Sequence, residues 1–377
     1  MYQLIGKRTI IAVLLFFFVV LSLLFTFHFY GFFIMFVLFL CLFLLFVMIS
    51  LFVIARTSLV VSLSSCSSVV EIKKGRYYVD FSQAFGKGKF KEFVFDVNGV
   101  PQFSLYKKMQ YFPTFVGWYA CMLADSIVQA NVVQANGSSQ KELFDQFAMQ
   151  IDWIQKNAAQ KEIYGKKYVV WYYQFDFQEG NLLLQKPWIS ALGQGACISA
   201  LVRDYTLNGN KASLQLAEKA AAIFSVSIAD GGVQYYNQEE KCLYLEEYPL
   251  LPQPKVFDGF VFAMLGVYDL YLVTGKKHYK ELFDSLVKTI DFNLDSWTYQ
   301  KKWSLYGKYT ILSNVWYNQL NAELLSVLGT LAQNPRFLAY SAYWNAREKG
   351  YFHKLLIIIA FTYTRGKYLL RQIFSSS

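Results

Sequence analysis

The sequence predicts a mainly α protein. The expected architecture is an α/α toroid of about four helix hairpins with β-hairpins at one mouth, preceded by a short β segment and an N-terminal transmembrane region. Three observations carry it. Between Arg8 and Arg56 lie 47 residues without one Asp, Glu, Lys or Arg. From Pro113 onward apolar residues fall at helical spacing. A motif, Lys141-Glu142-Leu143-Phe144-Asp145, recurs as Lys280-Glu281-Leu282-Phe283-Asp284, and both copies run on to an Ile-Asp pair, at Ile151-Asp152 and Ile290-Asp291.

Residues 1–56 come first. A single helix through the uncharged block would be roughly 70 Å long, more than twice a bilayer's hydrocarbon core. Two spans, about 9–27 and 32–54, fit better, with the break at His28-Phe29-Tyr30-Gly31. The alternative is one long signal-anchor. Residues 57–110 are a linker and β-hairpin segment. They are Ser-rich and then basic, and alternate at Tyr77-Tyr78-Val79-Asp80-Phe81 and Phe93-Val94-Phe95-Asp96-Val97. Asn98-Gly99 between apolar runs is a hairpin signal.

Residues 111–350 hold the toroid. A weaker copy of the repeat, Leu214-Gln215-Leu216-Ala217-Glu218, sits between the two strong ones. Each copy follows a turn (Asn136-Gly137, Asn208-Gly209, Thr274-Gly275), and each turn follows an apolar stretch, about 113–132, 188–206 and 257–273. A fourth pair is expected over about 315–330 and 334–347, broken at Asn334-Pro335. Such pairs bury their apolar faces against one another. Four of them close into a ring or stack as an open solenoid, and the long connections favour the ring. Residues 160–187 and 226–256, rich in Tyr, Trp, Gly and Pro, read as β-hairpins or loops at one mouth, where chemistry usually resides.

Residues 351–377 are a basic amphipathic tail. From 336 to the end, seven Lys and Arg oppose Glu348 alone, part of a net charge of +10. No nucleic-acid-binding motif accompanies the charge. Beside an apolar anchor it points to anionic lipid headgroups, and equally to the solvated face of a last core helix. The five cysteines lack CxxC spacing, which argues against a zinc site or disulfide framework. The three histidines cannot build a histidine-rich metal site, so any general base is a carboxylate, Tyr or Lys.

Three segments could carry chemistry. Trp188 to Gly195 places small residues around Gln194 inside a helical pattern. Tight helix packing and close approach of a ligand both explain that. Tyr244-Leu245-Glu246-Glu247-Tyr248-Pro249 joins two carboxylates and two phenols ahead of a stiffening proline. It reads as a solvated acidic turn or as an acid–base pair. Tyr306, followed by Tyr317 at the start of the last helix pair, supplies further phenols.

The order of these segments resembles the D-glucuronyl C5-epimerase family, which inverts C5 of glucuronic acid within a polysaccharide to give iduronic acid. The resemblance covers roughly 93–330. It includes Phe95-Asp96-Val97-Asn98-Gly99-Val100-Pro101, Tyr111-Phe112-Pro113 with Tyr119, and Trp188–Gly195 with Leu201-Val202-Arg203. It continues through Glu246-Glu247-Tyr248-Pro249, Gly259-Phe260 and Leu265-Gly266-Val267-Tyr268-Asp269-Leu270. Two departures stand out. Asp258 occupies a position where the family usually carries Asn. Tyr317-Asn318-Gln319-Leu320-Asn321 replaces a Tyr-His-x-x-His pattern, so both histidines are asparagine and cannot take up a proton.

The resemblance implies Glu247 as a base and Tyr317 as the opposed acid/base, with Tyr248 and Tyr306 orienting groups or relaying protons. Tyr111, Tyr119 and Trp188 would stack on sugar rings. Gln194, Arg203, Asn318 and Asn321 would bind substrate, and Arg203, Lys186 or Lys255 would supply a cation. No cofactor or metal is required. The implied partner is a uronate-containing polysaccharide, with membrane lipid around the anchor, no nucleic acid, and homodimerisation left open. A toroid polysaccharide lyase and an inactive glycan-binding membrane protein are the alternatives. Basic residues flank the apolar block on both sides, which places both ends in the cytoplasm for a hairpin. A single span would place the catalytic unit on the other side.

Overall fold

The computed structural model describes residues 78–79, 93–133, 137–179, 182–300, 302–307, 311–345, 358–363 and 366. The two expected membrane spans, most of the linker and most of the basic tail lie outside the described residues. Among the described residues, four helix hairpins follow one another: α1 (Pro113–Val133) with α2 (Gly137–Lys156), α3 (Ala191–Asn208) with α4 (Lys211–Ala221), α5 (Phe257–Thr274) with α6 (Lys277–Asn293), and α7 (Val315–Leu331) with α8 (Pro335–Trp344).

The sequence sorts these helices into two layers. Helix α5 is buried over nearly its whole circumference through Asp269-Leu270, and α3 likewise through Val202. Helix α6 buries only Tyr279, Phe283, Leu286, Thr289, Ile290 and Asn293, one stripe at three- and four-residue spacing. Helix α3 packs between α1 and α5, α5 also meets α7, and each even-numbered helix packs on the odd one before it. The odd helices are therefore the inner layer. Close approach makes small residues necessary there. A Cβ on Gly195 would lie 2.6 Å from the Phe262 carbonyl oxygen, and one on Gly117 2.6 Å from the Ala196 carbonyl carbon. Helix α5 is also apolar and long enough to cross a membrane, but 72% of it is buried inside the protein, as expected of a core helix.

The turn predicted at Asn208-Gly209 forms for identifiable reasons. Gly209 ends α3 in the left-handed region at φ 67°, and its N–H bonds the Tyr205 carbonyl at 2.8 Å. Buried Asp204 accepts from Asn208 at 2.8 Å, Asn210 at 2.7 Å and Ser213, which locks the α3–α4 corner. Asn210, Asn314 and Asn334 cap α4, α7 and α8.

Small antiparallel sheets occupy the connections. Strands β1 (Phe93–Phe95), β2 (Pro101–Leu105) and β3 (Lys108–Gln110) form one sheet before α1. Two-stranded ribbons follow: β4 (Ala159–Ile163) with β5 (Lys166–Val170), and β6 (Phe177–Glu179) with β7 (Leu182–Leu184). Then come β8 (Gln234–Asn237) with β9 (Cys242–Leu245), and β10 (Thr298–Tyr299) with β11 (Trp303–Ser304). Every inner helix is thus entered from a β element at its N-terminal end. The turn between β1 and β2 is built by Asp96, whose carboxylate accepts from the N–H groups of Asn98 at 2.9 Å and Val100 at 2.8 Å.

Residues 78 and 79 form a bend rather than the strand expected over 77–81. A long-range polar contact holds them: Tyr78 donates to Asp269 at 2.6 Å, and Arg203 meets the other oxygen of Asp269 at 2.8 Å. Tyr78 and Asp269 are buried, and the Arg203 side chain is only 11% exposed. Breaking a buried ion pair by removing one partner strands the other charge, at about 3–5 kcal/mol. Arg203→Ala is accordingly expected to lower the thermal midpoint by on the order of 10 °C, checked by scanning calorimetry.

Candidate active site

The four inner helices point their N-terminal ends at one region, and the sequence of each end differs. Helix α1 brings Thr114, α3 brings Ser190 and Gly193, α5 brings Asp258 and Gly259, and α7 brings Tyr317. Between them lies an aromatic cluster of Tyr173, Phe175, Trp188 and Tyr248, against which Phe112, Phe177 and Tyr306 pack.

The contacts show how closely these ends meet. The Tyr173 hydroxyl lies 2.5 Å from Thr114 Oγ1 at the start of α1. A Cβ on Gly193 would come within 2.7 Å of that same hydroxyl, so α3 presses on the phenol too. The Tyr173 ring stacks on Trp188 at 4.0 Å. Tyr248 stacks on Phe177 at 5.1 Å and lies 6.1 Å from Trp188. Tyr306 meets the edge of Tyr317 at 5.5 Å. The backbone ties the loops in as well. Ala191 N–H bonds the Glu246 carbonyl at 3.1 Å, and Phe257 N–H bonds the Tyr306 carbonyl at 3.2 Å.

Glu247 sits on the first turn of α5. A Cβ at Gly259 would fall 2.3 Å from Glu247 Oε2 and 2.6 Å from its Cβ, so the side chain occupies the space that glycine leaves. A carboxylate there is favoured by the partial positive charge of the helix N-terminus. Glu246, also buried, accepts the Lys255 N–H at 3.0 Å and fixes the return of the chain toward α5. The solvated acidic turn is thereby ruled out: both carboxylates are at least nine-tenths buried, at 1% and 9% exposure. Burial raises the Tyr173 phenol well above its ordinary pKa, and the Glu247 charge raises it further. Burial pushes Asp258 up to about 7 against two backbone hydrogen bonds that pull it down. Among the described residues no group of three or more His, Cys, Asp or Glu is placed to hold a metal ion.

Glu247, Tyr248, Trp188, Tyr306 and Tyr317 are thus brought together. Other residues expected at the site are used elsewhere. Gln194 accepts the Trp171 N–H at 2.9 Å and donates to the carbonyls of Val169 at 3.1 Å and Ala220 at 3.3 Å, so its buried amide joins β5 to the end of α4. Tight packing is the reading the structure favours for that segment. Arg203 pairs with Asp269, which lies ten residues beyond Gly259 and about 15 Å further along α5. Lys255 is committed to both Glu240 oxygens at 3.0 Å and to the Tyr244 hydroxyl at 3.1 Å. Lys186 is exposed.

Tyr111 donates to Asp96 at 2.7 Å and secures the β1–β2 turn, which pushes its own pKa up to about 12, burial being the larger cause. It faces Trp153 in a shallow cleft beside Tyr172. Tyr119 is half-buried, bonds Gln146 at 3.2 Å and packs on Phe95 at 5.0 Å. Asn318 accepts the Ser304 N–H at 2.7 Å and donates to the Trp344 carbonyl. Asn321 donates to Ser304 at 3.1 Å and Ser313 at 3.3 Å. Both asparagines are fully buried and hold the loop that carries Tyr306, rather than lining the site.

The sequence reading missed Tyr173. Its only local signal was membership of the aromatic stretch between the first two helix pairs. Asp258 departs from the family pattern, and the sequence alone gives it no role.

The arrangement defines a class: a helix-hairpin protein with a dry carboxylate–phenol site at the N-terminal ends of its inner helices. Residues 165–346 match the family model described as D-glucuronyl C5-epimerase C-terminus. A D-glucuronyl C5-epimerase of Caenorhabditis elegans is 33% identical over 121 residues, 32% of this chain and 18% of that protein. Uncharacterized protein MJ1128 of Methanocaldococcus jannaschii is 26% identical over 197 residues, 52% of this chain and 63% of that protein. The chain therefore spans less than two thirds of either relative. Among solved structures it is similar to the glycoside hydrolase family 76 mannosidase Bt3792 from Bacteroides thetaiotaomicron (TM-score 0.41, 12% identity, 64% of this chain and 60% of that one). It is also similar to the α-mannanase BT2949 of the same organism (TM-score 0.42, 11% identity, 67% and 63%).

Proposed function

We propose that this chain is a membrane-anchored epimerase that inverts C5 of glucuronic acid, to iduronic acid, within a polysaccharide. The observation that carries the reading is Glu247 seated on the first turn of α5, among the phenols of Tyr248, Tyr306 and Tyr317. The family match of the segment containing all four residues supports it. The apolar block before Arg56 supports the anchor. The hairpins are read as an α/α toroid, with the β elements around its active mouth.

The chemistry follows from the substrate. The C5 proton lies α to a carboxylate and is weakly acidic. Removing it builds an enediolate-like dianion on the sugar carboxylate, so the site must supply a base, an opposed acid and anion stabilisation. Glu247 takes the proton from one face. Tyr317 returns one to the other face, leaving a protonated Glu247 and a Tyr317 phenolate. Tyr306, edge-on to Tyr317, and Tyr248 reset the pair by proton exchange with solvent. The free N–H groups of the inner helices aim positive potential at the developing charge. The phenols, rather than a lysine or arginine, bear the proton traffic, because Lys255 and Arg203 are already engaged.

The test is incubation of the full-length protein with a small panel of uronate polymers in deuterium oxide. Deuterium at C5, with iduronate appearing among the products, is expected. Unsaturated-uronate absorbance without C5 exchange would make the protein a lyase. Binding without either would make it a glycan-binding protein.

A further inference from the structure

Two carboxyl groups occupy adjoining places on one helix turn. Glu247 lies over Gly259, and Asp258 is the residue before. Both are buried, at 9% and 4% exposure. Asp258 Oδ1 is enclosed and has no hydrogen-bond partner. Burial leaves an ionised carboxylate in that position poorly solvated, and two carboxylates in one enclosed site do not both ionise readily.

We propose that Glu247 and Asp258 work as one unit holding a single proton: Asp258 carries it as a neutral acid, so that Glu247 alone is charged. Asp258 is then a positioning residue. It limits the site to one anion, which lets an anionic sugar enter beside Glu247. The inference rests on the reading that Glu247 is the base. The surrounding groups fit. The loop before α5 supplies Glu246, Glu247, Tyr248 and Lys255, and Lys255 is tied to Glu240. The 302–307 loop supplies Tyr306, the start of α7 supplies Tyr317, and the segment after β5 supplies Tyr173. The first turn of α3 supplies no titratable side chain. Burial of Asp258, which shifts its titration up to about 7, agrees with the shared proton.

Asp258→Asn keeps the shape and a hydrogen-bond donor but removes the titration. In the wild type, KM for a uronate polymer should rise by about fivefold between pH 7 and pH 8, as the second charge forms. In the variant KM should stay flat across that range. A second readout needs no activity. A carboxyl whose folded pKa lies above its unfolded value makes stability fall as pH rises from about 4 to about 7. The variant's thermal midpoint should therefore gain on the wild type across that window and hold its lead above it. Parallel melting curves, or an unchanged rise of KM in the variant, would overturn the proposal. If the wild type exchanges C5 in no polymer, the epimerase reading fails, and the melting comparison still decides whether Asp258 holds the proton.

Discussion

Glu247→Gln is expected to slow solvent-deuterium incorporation at C5 by on the order of 10³-fold, within the range usual for loss of a general base. Glutamine has the same length and still fits the space above Gly259, so the fold should persist, as circular dichroism would verify. Tyr317→Phe should have a comparable effect, because the ring remains against Tyr306 and only the exchangeable proton is lost. The two substitutions act on opposite faces of the same carbon, so the double variant should be little slower than either single one. Undiminished exchange in both single variants would remove the acid–base assignment.

The second large effect concerns the core. Gly195→Val is expected to destabilise the fold by about 3 kcal/mol or more, enough to abolish soluble expression. The new side chain would begin 2.6 Å from the Phe262 carbonyl oxygen and 2.7 Å from Ala263 Cα, and backbone cannot move aside. Gly209→Ala provides the contrast. That glycine needs its positive φ but has open space around it, so the substitution should cost only about 1 kcal/mol. Expression level and chemical denaturation separate the two cases. A Gly195→Val protein that is as stable as wild type would show that α3 and α5 do not meet as closely as described.

These predictions rest on features of unequal visibility in the sequence. Helix pairing was legible, because the Lys-Glu-Leu-Phe-Asp repeat and the turn glycines are local signals. The β1–β2 turn was legible for the same reason, from Asn98-Gly99. The β10–β11 ribbon was not: two residues per strand leave no alternation to detect. At the site, motif order located Glu247, Tyr248, Tyr306 and Tyr317. It did not reveal which polar residues serve the scaffold. Gln194 spends its amide on partners 23 to 26 residues away, and Arg203 pairs across 66. Whether a buried amide faces a ligand or a neighbouring carbonyl depends on such distant contacts, and local pattern carries none of them. Asn318 and Asn321 illustrate the point. The sequence showed that two histidines had gone, and the structure shows the replacements bracing the Tyr306 loop.

The bond from Tyr78 to Asp269 spans 191 positions of the chain. It makes Tyr78 part of the folded core. A shortened protein cut at Phe93, the first strand residue, would discard the phenol that closes over the Arg203–Asp269 pair and would admit water to the rear of the core. Cutting before Tyr78 keeps that seal. Anyone shortening the protein from its N-terminus should therefore cut before residue 78, even though the first described strand begins fifteen residues later, at Phe93.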